Sequence, residues 1–331
     1  MLIPWIIIFL ISLVVLVKGA DWFLESAEKI GFKIGLSSFV IGVIIVGIGT
    51  SLPELISSLF AAFKNSSEII AANAIGSNIA NILLVIGFSA ILGKKLQVSK
   101  DLVDLELPLL AASTAIFALV AYDMTITFPE ALILVAGCGL YLAYILTTPD
   151  DDRVDVKKDA AGLAITEAAK SKGIKNGDKK KDSITKKDIL VLLIGVSGLV
   201  FGAQYLIESV IQLSTILDLA TGVITITAVA IGTSLPELLV STKAALSGRS
   251  AVALGNIFGS NAFNILLVVG IPGLFTQINL DQATFAIGLP FLIIATVLFV
   301  ISGISRKIHS WEGGFYLMLY IIFIAKLFGL F

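Results

Sequence analysis

The sequence predicts an all-α integral membrane protein of ten transmembrane helices, arranged as two inverted five-helix repeats. An apolar composition, an internal repeat at a fixed offset and a one-sided distribution of positive charge carry that expectation. Of the 331 residues, 57% are hydrophobic and 14% charged, and the mean hydropathy is +1.01. Soluble domains carry about 25% charged residues, so an ordinary soluble domain is excluded. The net charge of −1 says nothing useful about partners. The lipid bilayer is the expected medium, with no nucleic acid and no obligate protein partner.

A membrane span needs about 20 apolar residues. Ten such stretches are present, at 2–18, 36–60, 69–92, 103–122, 128–147, 188–210, 221–245, 251–274, 283–303 and 312–330. The start, MLIPWIIIFLISLVVLVKGADWF, lacks the positive n-region of a signal peptide and has an internal counterpart, so it is expected as the first helix. Cys138 stands alone in the fifth stretch and reads as a small packing residue. His309 is expected as a solvated loop residue.

The repeat is explicit. Adding 183 to any number from 48 to 87 lands on its counterpart without a gap, and 22 of these 40 positions are identical. Upstream, Gly19-Ala20 matches Gly202-Ala203 and Glu25-Ser26 matches Glu208-Ser209; downstream, Pro108 and Pro290 align within one residue. The units are therefore 1–147 and 188–331, joined by a polar linker, 148–187. Five spans per half force the second half to enter from the opposite side. The positive-inside rule agrees: 11 of the 23 Lys and Arg lie in the linker, and Lys29, Lys33, Lys94, Lys95, Lys100, Arg249, Arg306 and Lys307 fall on its side. A multi-pass protein of the cell membrane is expected, with a cytoplasmic linker and both termini extracellular.

Chemistry concentrates in two copies of one motif. Residues 47–58 read GIGTSLPELISS and 230–241 read AIGTSLPELLVS, so an acid, Glu54 or Glu237, falls at a matched position inside each apolar stretch. A charged side chain at the centre of a membrane helix costs about 2.5–3.5 kcal/mol on insertion scales. An axis in the membrane plane would bring the two acids together, where bare carboxylates repel and cations neutralise them. Oxygen ligands are what hard cations such as Ca2+ prefer. Pro53 and Pro236 have no N–H for the carbonyls of Gly49 and Gly232, which frees backbone oxygens. Thr50, Ser51, Thr233 and Ser234 add hydroxyls. In the next stretch Asn73, Ser77 and Asn81 recur every four residues, mirrored by Asn256, Ser260 and Asn264, and such a spacing makes one stripe on a helix. Ser77, Asn81, Ser260 and Asn264 are expected as ligands, whereas Asn73 and Asn256 serve equally well as interhelical hydrogen-bond donors.

GTSLPE followed by GSNIANILLVIG, and GTSLPE followed by GSNAFNILLVVG, resemble the two alpha-repeats of sodium/calcium exchangers in the calcium:cation antiporter superfamily. The resemblance implies a mid-membrane site in which Glu54 and Glu237 bind Ca2+ and share in Na+ binding. It implies further that Thr50, Ser51, Thr233, Ser234, Ser77 and Ser260 line Na+ sites, with backbone carbonyls of Gly47 and Ala230 contributing. Many exchangers carry an aspartate where this chain has Asn264, so two formal carboxylates are expected here. The implied activity is Na+/Ca2+ antiport by alternating access, with Ca2+ and Na+ as transported ions and no organic cofactor. Proton-coupled Ca2+ exchange would use the same acids and is the alternative. No enzyme activity is expected: Ser51 and Ser234 have no His or Lys base near them in sequence.

Overall fold

The computed structural model describes residues 2–36, 38–63, 67–98, 103, 106–147, 184–216 and 234–330. Most of the linker, Lys64, Lys100, Ala230, Gly232 and Thr233 lie outside these residues. The described chain is almost wholly helical: α1 (Leu2–Lys33), α2 (Ile41–Thr50), α3 (Leu52–Phe63), α4 (Glu68–Leu92), α5 (Leu107–Val120), α6 (Phe128–Thr147), α7 (Lys186–Ile216), α8 (Leu235–Leu246), α9 (Ser250–Gly273), α10 (Thr284–Ile304) and α11 (Ser310–Leu327). Four two- or three-residue strands connect them: β1 (Lys95–Gln97), β2 (Thr125–Ile126), β3 (Ile278–Asn279) and β4 (Lys307–His309).

Among the described residues six helices are long and apolar enough to cross a membrane, or seven if α2 and α3 form one broken span. The first half of the expected stretch 221–245 lies outside the described residues, and the bounds of some other stretches differ from those expected. The stretch 36–60 is no single rod, because α2 and α3 meet at a 41° bend. Among the described residues of the stretch 103–122, the α-helix is the 14-residue α5, about 21 Å long. The stretch expected to end at residue 18 continues to Lys33: Gly19, Ala20, Phe23, Leu24, Ala27 and Gly31 stay buried on one face while Asp21, Glu25 and Lys29 stay exposed. An apolar stripe with polar residues opposite is enough to prolong a helix. His309 lies in β4, paired with Lys95, rather than in a loop.

At the start of α7 the backbone N–H and hydroxyl of Thr185 donate to Asp188 Oδ2 at 3.0 and 2.8 Å, and Asp188 N–H donates to Thr185 Oγ1 at 3.3 Å. This reciprocal cap satisfies donors that a helix end otherwise leaves open. Lys29 and Lys33 reach the same carboxylate at 2.5 and 3.2 Å, tying the end of α1 to the start of α7.

The two halves make matching contacts. β1 and β4 pair antiparallel with Leu96 opposite Ile308, and β2 and β3 pair with Ile126 opposite Ile278. In this part of the chain the offset is 182, so exchanging the halves turns the first pairing into the second. Val98 N–H on the Arg306 carbonyl at 3.0 Å likewise maps onto Leu280 N–H on the Met124 carbonyl at 2.8 Å. Thr114 and Thr296, equivalent residues on α5 and α10, meet each other at 3.4 Å. Asn78 donates to the carbonyl of its own counterpart, Asn261, at 2.9 Å.

The interior belongs to α4 and α9: 94% of the apolar window of α9 is buried, against 17% for α1, whose Ile3, Ile7, Leu10 and Val14 face outward. Two close crossings hold this arrangement. A Cβ on Gly202 would lie 2.8 Å from Leu16 N, and one on Gly19 would lie 2.8 Å from Leu199 N, so α1 and α7 touch backbone to backbone. The second crossing sets α2 on α9, where a Cβ on Gly259 would lie 2.3 Å from the Val43 carbonyl oxygen. Without water between helices, such small-residue contacts supply the packing.

Gly259→Ala is therefore expected to destabilise the protein by about 1–3 kcal/mol and to lower its unfolding temperature in detergent. Gly314→Ala, on the exposed side of α11 with nothing within 4 Å of the added methyl, is expected to leave that temperature unchanged.

Candidate functional site

In the first half the GTSLPE motif is a local helix break between α2 and α3, and in the second half the described part of the motif has the same conformation. Ser51 has φ −85° and ψ 3°, and Ser234 has φ −86° and ψ 4°. Both serines sit in the sparsely used region near ψ = 0, and a new helix starts just after each. Proline suits the first turn of a helix, where an N–H would have no partner anyway. Pro53 and Pro236 therefore begin α3 and α8, and Glu54 and Glu237 fall in those first turns. The partial positive charge of a helix N-terminus favours a carboxylate there.

Both acids are fully buried, at 0% exposure. The structure brings the halves together around them. Ser51 Oγ, at the head of α3, donates to Glu237 Oε1 at 3.4 Å, and the Thr50 and Ser260 hydroxyls also lie against the Glu237 carboxylate. Ser77 Oγ on α4 donates to Glu54 Oε1 at 3.5 Å. The Gly47 carbonyl faces the same cluster: Ser260 Oγ donates to it at 3.3 Å and Thr50 Oγ1 lies 3.4 Å away. The close α2–α9 crossing puts that carbonyl within reach, since a Cβ on Gly47 would lie only 3.1 Å from Gly259 Cα and Ser260 N.

Asn81 and Asn264 are also fully exposed to nothing but protein, at 0%. Neither the amide nitrogen nor the amide oxygen of either one has a hydrogen-bond partner among the described residues. Glu237 Oε2 and Ser234 Oγ share that condition. An unsatisfied buried polar atom costs about 1–3 kcal/mol, and these lie on matched helices of the two halves. The helices interlock crosswise: α3, which carries Glu54, packs on residues 264–268, and α8, which carries Glu237, packs on residues 80–86. Those two stretches, Ala80–Ile86 and Asn264–Val268, are wound as π-helix. Such bulges recur at functional sites because the wider turn redirects side chains and frees carbonyls.

Asn73 and Asn256 turn out to be framework. Asn73 Nδ2 donates to Ser58 Oγ at 3.1 Å and to the Glu54 carbonyl at 3.3 Å. Its counterpart Asn256 donates to Ser241 Oγ at 2.8 Å and accepts from Thr50 Oγ1 at 3.0 Å. Four residues escaped sequence reasoning here: Ser58 and Ser241, which fix these asparagines, and Asn78 and Asn261, which join the halves. Each pair is identical at the repeat offset, and that identity was the available signal. Ala230 and Thr233 lie outside the described residues.

The donors are oxygens, with two carboxylates, hydroxyls, amides and a carbonyl. Among the described residues no three His, Cys, Asp or Glu side chains cluster, which sets this site apart from nitrogen–sulfur centres for transition metals. Hard cations such as Na+ and Ca2+ suit such a set.

A model of the sodium/calcium exchanger protein family matches residues 4–147 and 187–329. The chain is 34% identical to the sodium/calcium exchanger MaX1 of Methanosarcina acetivorans, over 97% of this chain and 98% of that one. It is 26% identical to the inner membrane protein YrbG of Escherichia coli, over 98% and 96%. A solved structure of the sodium-calcium exchanger NCX_Mj, soaked with zero Na+ and Ca2+, superposes with a TM-score of 0.78 at 30% identity, covering 99% of this chain and 100% of that one. The chain belongs to the sodium/calcium exchanger family.

Proposed function

We propose that the protein is a secondary active antiporter that exchanges Na+ for Ca2+ at one site between its two halves. The observation that carries this reading is the contact across the halves, Ser51 of the first on Glu237 of the second, beside two fully buried acids. In the proposed site Glu54 and Glu237 bind Ca2+. Thr50, Ser51, Ser77, Thr233, Ser234 and Ser260 hold Na+ together with the same acids, and Asn81, Asn264 and the Gly47 and Ala230 carbonyls complete the shell. The architecture is ten helices in two inverted units, 1–147 and 188–331, with 148–187 as a cytoplasmic linker and both termini outside. The matching β pairings and the Thr114–Thr296 and Asn78–Asn261 contacts support a twofold relation.

Exchange follows from charge. Two carboxylates without a cation carry −2 in a low-dielectric interior, where charge is expensive, so the empty carrier changes state poorly. One Ca2+ or several Na+ offset that charge, and because they share oxygens they exclude one another. Binding on one side thus permits the access change, and release on the other must be followed by rebinding of a cation. No chemical bond is made or broken.

Purified protein in vesicles is expected to take up Ca2+ against an outward Na+ gradient, unaffected by a protonophore. Uptake that ignores Na+ and follows a proton gradient would establish proton-coupled exchange in its place. Glu54→Ala combined with Glu237→Ala is expected to reduce uptake to the level of empty vesicles; retained uptake would remove these acids from the site. Asn264→Asp adds a third carboxylate, and Ca2+ affinity at neutral pH is expected to rise by about tenfold, as read by equilibrium binding.

A further inference from the structure

Glu106 stands immediately ahead of α5 and is 4% exposed. The hydroxyl of Tyr141, on α6 and equally buried, donates to its Oε2 at 3.1 Å. The pair is absent from the hydrogen bonds that surround Glu54 and Glu237. It also has no mate in the second half: with the offset of 182 that aligns Pro108 with Pro290, Gly288 stands where Glu106 would recur.

α5 packs against α6, α9 and α10, and these four helices contain no lysine or arginine. Their other titratable side chains are Cys138, Tyr144 and Glu130, all on α6. Glu130 is held at the start of that helix, where it accepts from Thr127 N–H at 2.8 Å. Lys100, Asp101 and Asp104 lie outside the described residues. A carboxylate buried among apolar helices with one phenol beside it, and no cation from those helices, is costly in its charged form. A proton removes that charge with no rearrangement, while the Tyr141 hydroxyl supports the ionised form as a hydrogen-bond donor. The site therefore accommodates both forms.

Its position links it to the ion site. α5 packs on the stretch Asn264–Val268, and Gly137, one turn from Tyr141, lies against Leu266. We propose that Glu106 and Tyr141 form a proton-binding site, present in one half only, that tunes cation affinity from behind Asn264. Uptake of one proton from water converts the Glu106 carboxylate to a neutral acid, and no other bond changes. The ionised form adds a fixed negative charge behind the ion site and strengthens cation binding; the protonated form weakens it. The transport consequence rests on the exchange reading above, whereas the proton site itself does not.

Two measurements test the proposal on the full-length protein. Infrared difference spectra of purified protein between pH 5 and pH 8 are expected to show a carboxylic-acid C=O band that Glu106→Gln lacks and that Tyr141→Phe moves to higher pH. In vesicles, the apparent Ca2+ affinity of wild type is expected to fall as pH falls, and Glu106→Gln to show at pH 8 a weaker affinity than wild type and a pH dependence smaller by about threefold or more, with uptake retained at saturating Ca2+. Superimposable spectra for wild type and Glu106→Gln would overturn the proton site. A changed spectrum with an unchanged pH profile of affinity would overturn its coupling to the ion site. Absence of uptake in wild type would refute the exchange reading and leave the infrared comparison to decide the proton site.

Discussion

A carboxylate inside an apolar bundle is costly in its charged form, and this fold buries two at matched positions of its repeat. Glu54 and Glu237 are fully buried, and each is carried there by a helix that begins only two residues earlier. Had residues 41–63 run through as one continuous rod, Glu54 would sit mid-helix, without the favourable field of a helix start. The serine at ψ near zero and the proline after it produce the break. The break in turn puts the acid, the hydroxyls and the Gly47 carbonyl within one small volume.

The remaining helices hold that volume in shape. Glycines on α9 and α2 allow the contact that carries the Gly47 carbonyl to Ser260. Asn73 with Ser58 and Asn256 with Ser241 brace the helices from behind, using hydrogen bonds whose loss would leave buried polar atoms unsatisfied. α1 and α7 cross outside this core through Gly19 and Gly202. Ion pairs Lys243–Asp21 and Arg249–Glu28, at 2.5 Å each, attach α1 to α8 and to the start of α9.

Much of this was legible in the sequence because the information is repeated. The offset of 183 and the GTSLPE pair located the acids, the hydroxyls and the helix-breaking prolines before any coordinates. Residue periodicity placed Ser77 and Ser260 on the right helices. Other features left weaker traces. The length of α1 was missed because a hydropathy window stops at Lys18, while the buried stripe of Ala20, Phe23 and Ala27 continues beneath polar neighbours. The framework role of Ser58 and Ser241 depends on which face of α3 and α8 turns toward the asparagines, and serine in a membrane helix reads the same facing either way. The short β1–β4 and β2–β3 pairings join loops far apart in the chain, and no local propensity announces such a partner. Glu106 carried no motif at all; only its burial against Tyr141 set it apart.

Locating a bound Sr2+ by anomalous scattering, in crystals of the protein soaked without Na+, tests the central claim most directly. One peak is expected between the carboxylates of Glu54 and Glu237, close to the Ca2+–oxygen range of about 2.3–2.6 Å, and Na+ is expected to displace it. A peak away from both acids, or two acids that stay apart around an ion bound elsewhere, would contradict it.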